Sequence, residues 1–337
     1  MKTGDIKRTK INNASASIGK YLALVLGTLG GSAALAPVTA HADVDLLIGN
    51  HDMTTGGTIA EYTLTGAAAG SPSFPFSAYE PGGIAVSGSD MYFTTGYFGS
   101  PGQIQKYTLS GSAVTTPLVT GLNSPAGIAI TGSGNYLYVA NRGGNTIGEY
   151  NTSGTLENTI STGISSPVGL AIYGNNLFVA NSGNSSIAKY SLSGTPEGSF
   201  STSSTGAPYG IALSSNGSYL YVASDSGTVS EYTTAGTLVN SFGSSGSFSL
   251  LSAYGVALYG GDLFVTQDQN YNDVGVFNAA TGATLGSETL SGGTLTNPLI
   301  SGLDDPYSIA ITPEPGPLAL LGMGALGLLL KRRKTHN

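Results

Sequence analysis

The feature that most restricts the fold of this chain is a short motif that returns along its length. The motif reads Gly-Ile-Ala-Val at residues 83–86, and related copies follow at spacings of 44, 42, 41, 45 and 53 residues. A period of roughly 20–50 residues is typical of repeat proteins, in which each unit buries its apolar face against the next unit. The period therefore favours one repeat array over the two domains that 337 residues would otherwise suggest. The six copies begin at Gly83, Gly127, Gly169, Gly210, Gly255 and Ser308.

Further apolar segments follow most copies of the motif at fixed distances. In the repeat that starts at Gly127 they are Leu-Tyr-Val at 137–139 and an Ile-to-Tyr segment at 147–150. A turn rich in Ser, Thr and Gly and a weaker apolar stretch complete the repeat, as at 238–242. Short β-branched and aromatic segments between Gly, Asn, Ser and Pro predict strands. Four strands in about 44 residues is the period of a β-propeller blade.

Side-chain size within the repeat follows the geometry of a propeller. The first segment carries Gly and Ala, which suits an inner strand near the axis, where blades converge. The later segments carry Tyr and Phe, which fill the wider gap between the outer strands of neighbouring blades. We therefore expect the tyrosines of the third segment to pack between blades rather than to form a ligand-stacking platform. These tyrosines are Tyr62, Tyr107, Tyr150, Tyr190 and Tyr232.

The two ends of the repeat region complement each other. Residues 43–82 begin with the second segment and lack the first, whereas 308–311 supply a first segment with nothing after it. The last strand should therefore complete the first blade and leave no open edge. The predicted fold is all-β: a six-bladed β-propeller over residues 43–312, with four-stranded blades and a ring closed by the N- and C-terminal strands. The alternatives are a β-sandwich, a β-helix, or a degenerate seventh blade within the last spacing.

The consensus of the repeat resembles that of NHL-repeat propellers. It reads Pro-x-Gly-Ile-Ala, then Leu-Tyr-Val-Ala-Asn, then Ile-x-Glu-Tyr, and it covers nearly all of residues 43–312. The chain departs from that family at Asn141, Asn181 and Ser224, where NHL repeats commonly have Asp. The resemblance implies the same propeller fold.

Residues 1–42 have the layout of a secretory signal peptide. A basic segment precedes an apolar run at 21–35, and Ala40 and Ala42 form a small-x-small cleavage site. We expect signal peptidase to cut before Asp43, so that the protein is exported. An uncleaved membrane anchor is the alternative, which several glycines in the apolar run disfavour.

Residues 313–337 form a tripartite C-terminal tail. Pro313, Glu314 and Pro315 precede an uncharged apolar stretch at 316–330, which predicts a transmembrane helix, and a run of cations that should stay cytoplasmic. This order resembles the PEP-CTERM sorting signal, which implies that the helix anchors the protein in the membrane until an exosortase-type enzyme processes the tail. A buried terminal helix is the alternative. The cationic run is Lys331, Arg332, Arg333 and Lys334.

Charge is distributed unevenly along the chain. Nine of the 12 Lys and Arg residues lie in the two terminal segments, whereas 17 of the 19 acids lie in residues 43–312, whose net charge is about −14. Such a surface repels phosphate backbones, so we expect no nucleic-acid partner. The sequence contains no Cys, which excludes disulfides, thiolate nucleophiles and Cys-ligated metals.

One segment has the pattern of an oxygen-ligand cation loop. Asp268, Asn270 and Asn272 alternate in the sequence, as at the start of a Ca²⁺-binding loop, and are candidate metal ligands. Asp273 stands where an EF-hand has its glycine, and Ala279 where it has its bidentate Glu, so an EF-hand is excluded. The alternative is a solvated loop, and we expect no obligatory cofactor beyond this candidate Ca²⁺ site.

Three residues that follow equivalent second segments are candidate ligand contacts. Asn141 and Asn181 could supply oxygens toward a propeller channel, and Arg142 breaks the repeat and could contact an anionic sugar or a carboxylate. A solvated loop cation is the alternative for Arg142. His51 is interpreted as a polar loop residue after the first strand, because it and the adjacent Asp52 would point to opposite faces.

These patterns predict an exported protein without catalytic residues, since no Gly-x-Ser-x-Gly elbow and no P-loop occur. We expect it to reach the cell surface or extracellular matrix and to bind exopolysaccharide or a surface protein there. This expectation rests on the resemblance of the tail to PEP-CTERM proteins, a class associated with exopolysaccharide and biofilm. The alternatives are a Ca²⁺-dependent propeller enzyme of the lactonase or lyase kind and a protein-binding scaffold of the envelope.

Overall fold

The chain forms six antiparallel sheets arranged as blades around one axis, which confirms the predicted propeller and excludes a sandwich or a β-helix. The predicted signal peptide and sorting tail lie outside the residues that the structure describes. In the described part of the chain, no helical segment has the length and apolarity to cross a bilayer. The computed structural model describes residues 45–51, 57–69, 74–76, 80–96, 102–242, 250, 252–267, 272–283, 285, 289–290, 293–294 and 299–312.

The first three blades follow one another along the chain, and in blades 2 and 3 the strands run in order from the axis outward. Blade 1 contains β1 (Asp45–Asn50), β2 (Gly57–Thr63) and β3 (Phe74–Phe76). Blade 2 contains β4 (Pro81–Ser87), β5 (Asp90–Thr95), β6 (Gly102–Thr108) and β7 (Ala113–Leu122). Blade 3 contains β8 (Pro125–Ile130), β9 (Tyr136–Asn141), β10 (Thr146–Asn151) and β11 (Leu156–Ile160).

The next blades repeat this plan, and a 3-10 helix at Ser182–Asn184 follows the second strand of blade 4. Blade 4 contains β12 (Pro167–Tyr173), β13 (Asn176–Asn181), β14 (Ser186–Ser191) and β15 (Pro196–Ser201). Blade 5 contains β16 (Pro208–Leu213), β17 (Tyr219–Ser224), β18 (Val229–Thr233) and β19 (Leu238–Phe242). Blade 6 contains β20 (Ala253–Tyr259), β21 (Asp262–Gln267) and β22 (Asp273–Asn278). The last strands are β23 (Thr289–Leu290), β24 (Gly293–Thr294) and β25 (Pro306–Ile311).

The C-terminal strand closes the ring, as predicted. β25 pairs antiparallel with β1, where Leu47 lies opposite Ala310, and so forms the inner strand of blade 1. The backbone N–H of Asp45 donates to the hydroxyl of Thr312 at 2.8 Å, which extends the seam by one residue. The joint removes the open edges that two unpaired terminal strands would leave.

Blade 6 departs from the predicted four strands. Among the described residues it has three strands, and the outer edge of β22 is instead covered by backbone hydrogen bonds to Leu285, Leu299 and Ile300. Within the long last spacing, β23 and β24 pair only with each other. The described residues of this spacing therefore cover the outer edge of the sixth blade or pair with each other, and they add no seventh blade to the ring.

Close approach of the inner strands explains the glycines of the motif. A Cβ built on Gly83 would lie 2.6 Å from the backbone nitrogen of Ile128 in the next blade. A Cβ on Gly127 or Gly169 would collide with the carbonyl oxygen of Val168 or Tyr209, respectively. These positions lack room for any side chain, because blades converge at the axis.

The hydrophobic core contains six clusters that lie one at each junction between neighbouring blades, and a seventh cluster lies at the axis. The third-strand tyrosines lie in these clusters, which confirms their predicted role: Tyr150, Tyr190 and Tyr232 are buried. The hydroxyls of two of them bind groups in the loop before their own blade: Tyr190 donates to the carbonyl of Thr162 at 2.6 Å, and the Tyr232 hydroxyl lies 2.8 Å from that of Thr205. Each tyrosine thus fastens its blade to the preceding one.

Candidate functional site

The candidate site is the mouth of the axial channel at the end where the inner strands begin. In every blade the pairing of the inner strand shifts in register after its first residue. The residues that follow meet across the axis, since Ala126, Val168 and Tyr307 form one cluster with Tyr209 and Tyr254. We call these six equivalent residues the axial positions: Gly82, Ala126, Val168, Tyr209, Tyr254 and Tyr307.

Half of the mouth is aromatic, and we call Tyr209, Tyr254 and Tyr307 the axial tyrosines. Tyr209 and Tyr254 meet edge to face with ring centroids 4.9 Å apart, and the centroids of Tyr254 and Tyr307 are 5.0 Å apart. Aromatic rings attract each other at these separations. Tyr307 is buried, whereas Tyr209 and Tyr254 are only partly buried.

His51 packs against Tyr307, the buried member of the axial tyrosines. Its imidazole stacks on Tyr307 with centroids 4.5 Å apart, and its Nε2 lies 2.7 Å from the carbonyl oxygen of Pro81 in blade 2. A carbonyl only accepts, so Nε2 carries the proton. Burial lowers the pKa of His51 to about 4, although the hydrogen bond to Pro81 and the charge of Asp305 oppose the shift. His51 is therefore neutral at neutral pH and joins blades 1 and 2.

His51 follows the first strand, as the sequence predicted. Its burial in the core was not predicted. The side chain is 4% exposed. Its backbone N–H donates to the carbonyl of Asp305 at 3.1 Å, so both ends of the propeller region hold it. Its partners come from two distant parts of the sequence, residue 81 and residues 305–307, and no local pattern reveals them.

The channel behind the mouth is narrow. Its cavity volume is about 90 Å³, whereas pockets for drug-sized ligands have roughly 300–1,000 Å³. The described lining consists of inner-strand glycines, Ser308, the axial residues other than Ala126, and one branched aliphatic residue from each blade. A sugar or a larger ligand therefore has to bind at the mouth. The aliphatic residues are Ile84, Ile128, Leu170, Ile211, Val256 and Ile309.

A ring of buried polar residues surrounds the mouth at the ends of the second strands. In blades 4 and 5 these residues hold loops, since Asn181 donates to the Gly163 carbonyl at 3.0 Å and Ser224 donates to the Thr205 carbonyl at 2.7 Å. In the other four blades, each of these side chains has a buried oxygen without a hydrogen-bond partner. The ring consists of Asn50, Thr95, Asn141, Asn181, Ser224 and Gln267.

The structure places the three predicted ligand contacts around the mouth but outside the channel lining. Asn181 is fully buried, and its Oδ1 also accepts the Ser165 backbone N–H at 3.1 Å. Asn141 is buried and hydrogen-bonds with Tyr150, whose pKa this bond lowers against a larger increase from burial. Arg142 is partly buried beside Asn141. Their role in binding a ligand stays a prediction.

The predicted metal ligands are only partly covered by the structure. Asp268 and Asn270 lie outside the described residues, so their role stays a prediction. Asn272 is half-buried in a left-handed conformation with φ 48°, and its Oδ1 has no hydrogen-bond partner. The next residue, Asp273, is buried, which raises its pKa to about 6. No three His, Asp or Glu side chains gather as a metal cluster within the described ranges.

The described lysines are held by internal partners. Lys106 pairs with Asp90 at 2.9 Å, and its ammonium lies 5.2 Å from the ring centroid of Tyr92. Lys189 pairs with Glu197 at 2.8 Å. These pairs neutralise both lysines of the propeller region, so the remaining acids dominate its field.

Sequence reasoning missed the axial tyrosines. They occupy the x of the Pro-x-Gly consensus (in blade 6, Ala replaces the Pro), and a consensus treats that position as variable. A usable signal was present, because the last three copies carry Tyr at x and the first three carry Gly, Ala and Val.

Comparison with known proteins identifies the fold alone. No protein-family model and no curated protein match the chain. A chain in the crystal structure of a nidogen/laminin complex is similar over 81% of this chain and 100% of its own length, with 17% identity and a TM-score of 0.60. A protein of unknown function from Bacteroides caccae covers the same shares with 15% identity and a TM-score of 0.58. A functionally unknown protein from Desulfotomaculum acetoxidans has 19% identity and a TM-score of 0.56, with 80% and 88% of the two chains covered.

Proposed function

We propose that this chain is an exported, non-catalytic propeller that binds carbohydrate at the aromatic half of its mouth. The observation that carries the proposal is the partly exposed pair Tyr209 and Tyr254 beside a channel too small for a sugar. Pyranose rings have faces of C–H groups, which pack against the negative face of an aromatic ring, and a phenol hydroxyl can hydrogen-bond the sugar edge.

The charge of the propeller region favours a neutral polysaccharide. Residues 43–312 have a net charge of about −14, and the two lysines of this region already form ion pairs with Asp90 and Glu197. An acidic polysaccharide would be repelled by the remaining acids. Exopolysaccharide without carboxylate or sulfate groups is therefore the ligand class we propose.

The two terminal segments supply the location in this proposal. The signal peptide exports the chain, and the PEP-CTERM-like tail holds it in the membrane until an exosortase-type enzyme releases it to the cell surface or matrix. The mass of the secreted protein tests this step, because both cleavages reduce the 33.9 kDa of the full chain. A secreted protein with the full mass would contradict it.

Binding is tested by calorimetry of the purified secreted protein with neutral exopolysaccharide from the producing organism. The double variant Tyr209→Ala, Tyr254→Ala should bind at least about tenfold more weakly, since the two rings form the proposed contact. The matched control is Tyr219→Ala, because Tyr219 is 36% exposed and starts β17 at the end of the blade opposite the mouth. Equal binding by all three proteins, or no binding by the unmodified protein, would refute the proposal.

A further inference from the structure

The β21–β22 hairpin of blade 6 buries a carboxylate with little compensation. Asp273 is 3% exposed and lies opposite Gln267 in the ladder. The Gln267 Nε2–H donates to Asp273 Oδ1 at 2.7 Å, and the two described lysines pair with acids in other blades. Removing a carboxylate from water without a counter-ion is unfavourable.

Two more oxygens, one in Gln267 and one in the residue before Asp273, lack donors. Gln267 is fully buried, and its Oε1 has no hydrogen-bond partner although the same amide touches Asp273. The buried Oδ1 of Asn272, in the residue before Asp273, has none either. Buried acceptors are normally satisfied, so we expect a water molecule or a cation to bind each of these oxygens.

We propose that Gln267 and Asp273, together with Asn272, the residue before Asp273, bind one divalent cation of the Ca²⁺ type. Ca²⁺ prefers carboxylate and amide oxygens and completes its shell with water. A 180° turn of the Gln267 amide exchanges Nε2 for Oε1 beside the carboxylate, and a cation between the two oxygens makes that orientation favourable. The site differs from the sequence-predicted set, because it is built on Gln267 and Asp273 rather than on Asp268 and Asn270.

The small number of protein ligands sets the expected affinity. Three oxygens and one formal charge are fewer than in a complete Ca²⁺ loop, so the dissociation constant should be about 1 mM, within the range of extracellular modules. This inference is independent of carbohydrate binding, since it concerns the second and third strands of blade 6 rather than the axial tyrosines.

The test uses the secreted protein, with CaCl₂ as the only added cation, at pH 7.5. We expect 10 mM Ca²⁺ to raise the melting temperature by about 3 °C, and equilibrium dialysis with radioactive Ca²⁺ to give one site. Asp273→Asn keeps the shape and the acceptor for Gln267, and it should abolish both responses. Asp262→Asn is the matched control, because Asp262 lies at the other end of β21 and its loss removes the same charge.

A second variant keeps the proposal testable if Asp273→Asn does not fold. Gln267→Glu adds a carboxylate beside Asp273, so its melting temperature should rise with Ca²⁺ by more than that of the unmodified protein. No site in dialysis, equal binding by Asp273→Asn, or a loss in Asp262→Asn as large as in Asp273→Asn would overturn the proposal. A response in Gln267→Glu no larger than in the unmodified protein would also contradict it.

Discussion

Blades 5, 6 and 1 place tyrosines at the mouth of the channel, whereas blades 2, 3 and 4 place Gly82, Ala126 and Val168 at the equivalent positions. All six inner strands shift register at the same point, so the backbone does not distinguish the two halves. The aliphatic half shows that small side chains are sufficient to complete a blade. Tyr209 and Tyr254 stay partly exposed, and the proposed function assigns carbohydrate binding to these two rings.

The largest expected effect tests what the two halves share. Gly127→Ala in the aliphatic half and Gly210→Ala in the aromatic half would each drive a Cβ into a carbonyl oxygen of the next blade. Each should lose about 4 kcal/mol of unfolding free energy, because backbone cannot move aside as a side chain can. Urea denaturation measures the loss.

The control for this pair is Gly132→Ala, where a Cβ would meet nothing within 4 Å. Its unfolding free energy should stay within about 0.5 kcal/mol of the unmodified protein. If the losses of unfolding free energy in Gly127→Ala and Gly210→Ala differ by more than about 2 kcal/mol, the two halves do not share the same axial packing.

The next effect measures how the halves differ in stability. Tyr307→Ala should cost about 3 to 4 kcal/mol, because it removes a buried ring that contacts both His51 and Tyr254. Val168→Ala should cost about 2 kcal/mol, since fewer buried methyl groups are lost. Thermal and urea unfolding measure both losses. If Tyr307→Ala and Val168→Ala lose the same unfolding free energy, the axial tyrosines contribute nothing beyond ordinary packing.

The third prediction concerns the pH dependence of stability that arises from His51, which joins blades 1 and 2. The pKa of His51 is about 4 in the folded chain and 6.5 as the reference value, so the unfolded chain binds more protons between these values. The contribution of neutral His51 to the free energy of unfolding is complete above pH 6.5. About 3 kcal/mol of this free energy is lost as the pH falls from 6.5 through 4. His51→Gln should remove this part of the acid sensitivity.

The measurement compares urea unfolding of His51→Gln and the unmodified protein at pH 8 and at pH 4. Only the difference between the two proteins matters, because all other ionisable groups are the same in both. If the two unfolding free energies fall in parallel from pH 8 to pH 4, His51 is not buried in its neutral form.

The sequence was informative wherever the structure follows a local period. Strands, the glycines of the motif and the ring closure were all predicted, and Tyr150, Tyr190 and Tyr232 pack between blades as expected. Each of these features depends on residue size at a fixed place within one repeat. A pattern of that kind is visible in one sequence, since six copies average out the variation.

The mouth could not be predicted in the same way. Tyr209, Tyr254 and Tyr307 are 45 and 53 residues apart in sequence and meet only because the ring is closed. His51 is buried by Pro81 and by Tyr307, which come from opposite ends of the propeller region. The outer part of blade 6 also departs from the period, because β23 and β24 pair outside the blade.

The smallest expected effect concerns the ring of polar residues around the mouth. Its side chains hold loops in blades 4 and 5 and have an unpaired oxygen in the other blades. Asn181→Ala should cost about 2 kcal/mol, because its amide bonds to Ser165 and Gly163 would be lost and would leave buried loop groups unpaired. Asn141→Ala should cost about 1 kcal/mol, because the Oδ1 of Asn141 has no partner to lose. Thermal unfolding of the two single variants gives this ranking. A larger loss in Asn141→Ala would mean that its oxygen is satisfied in solution, and the polar residues of blades 3 and 4 would then hold their loops in the same way.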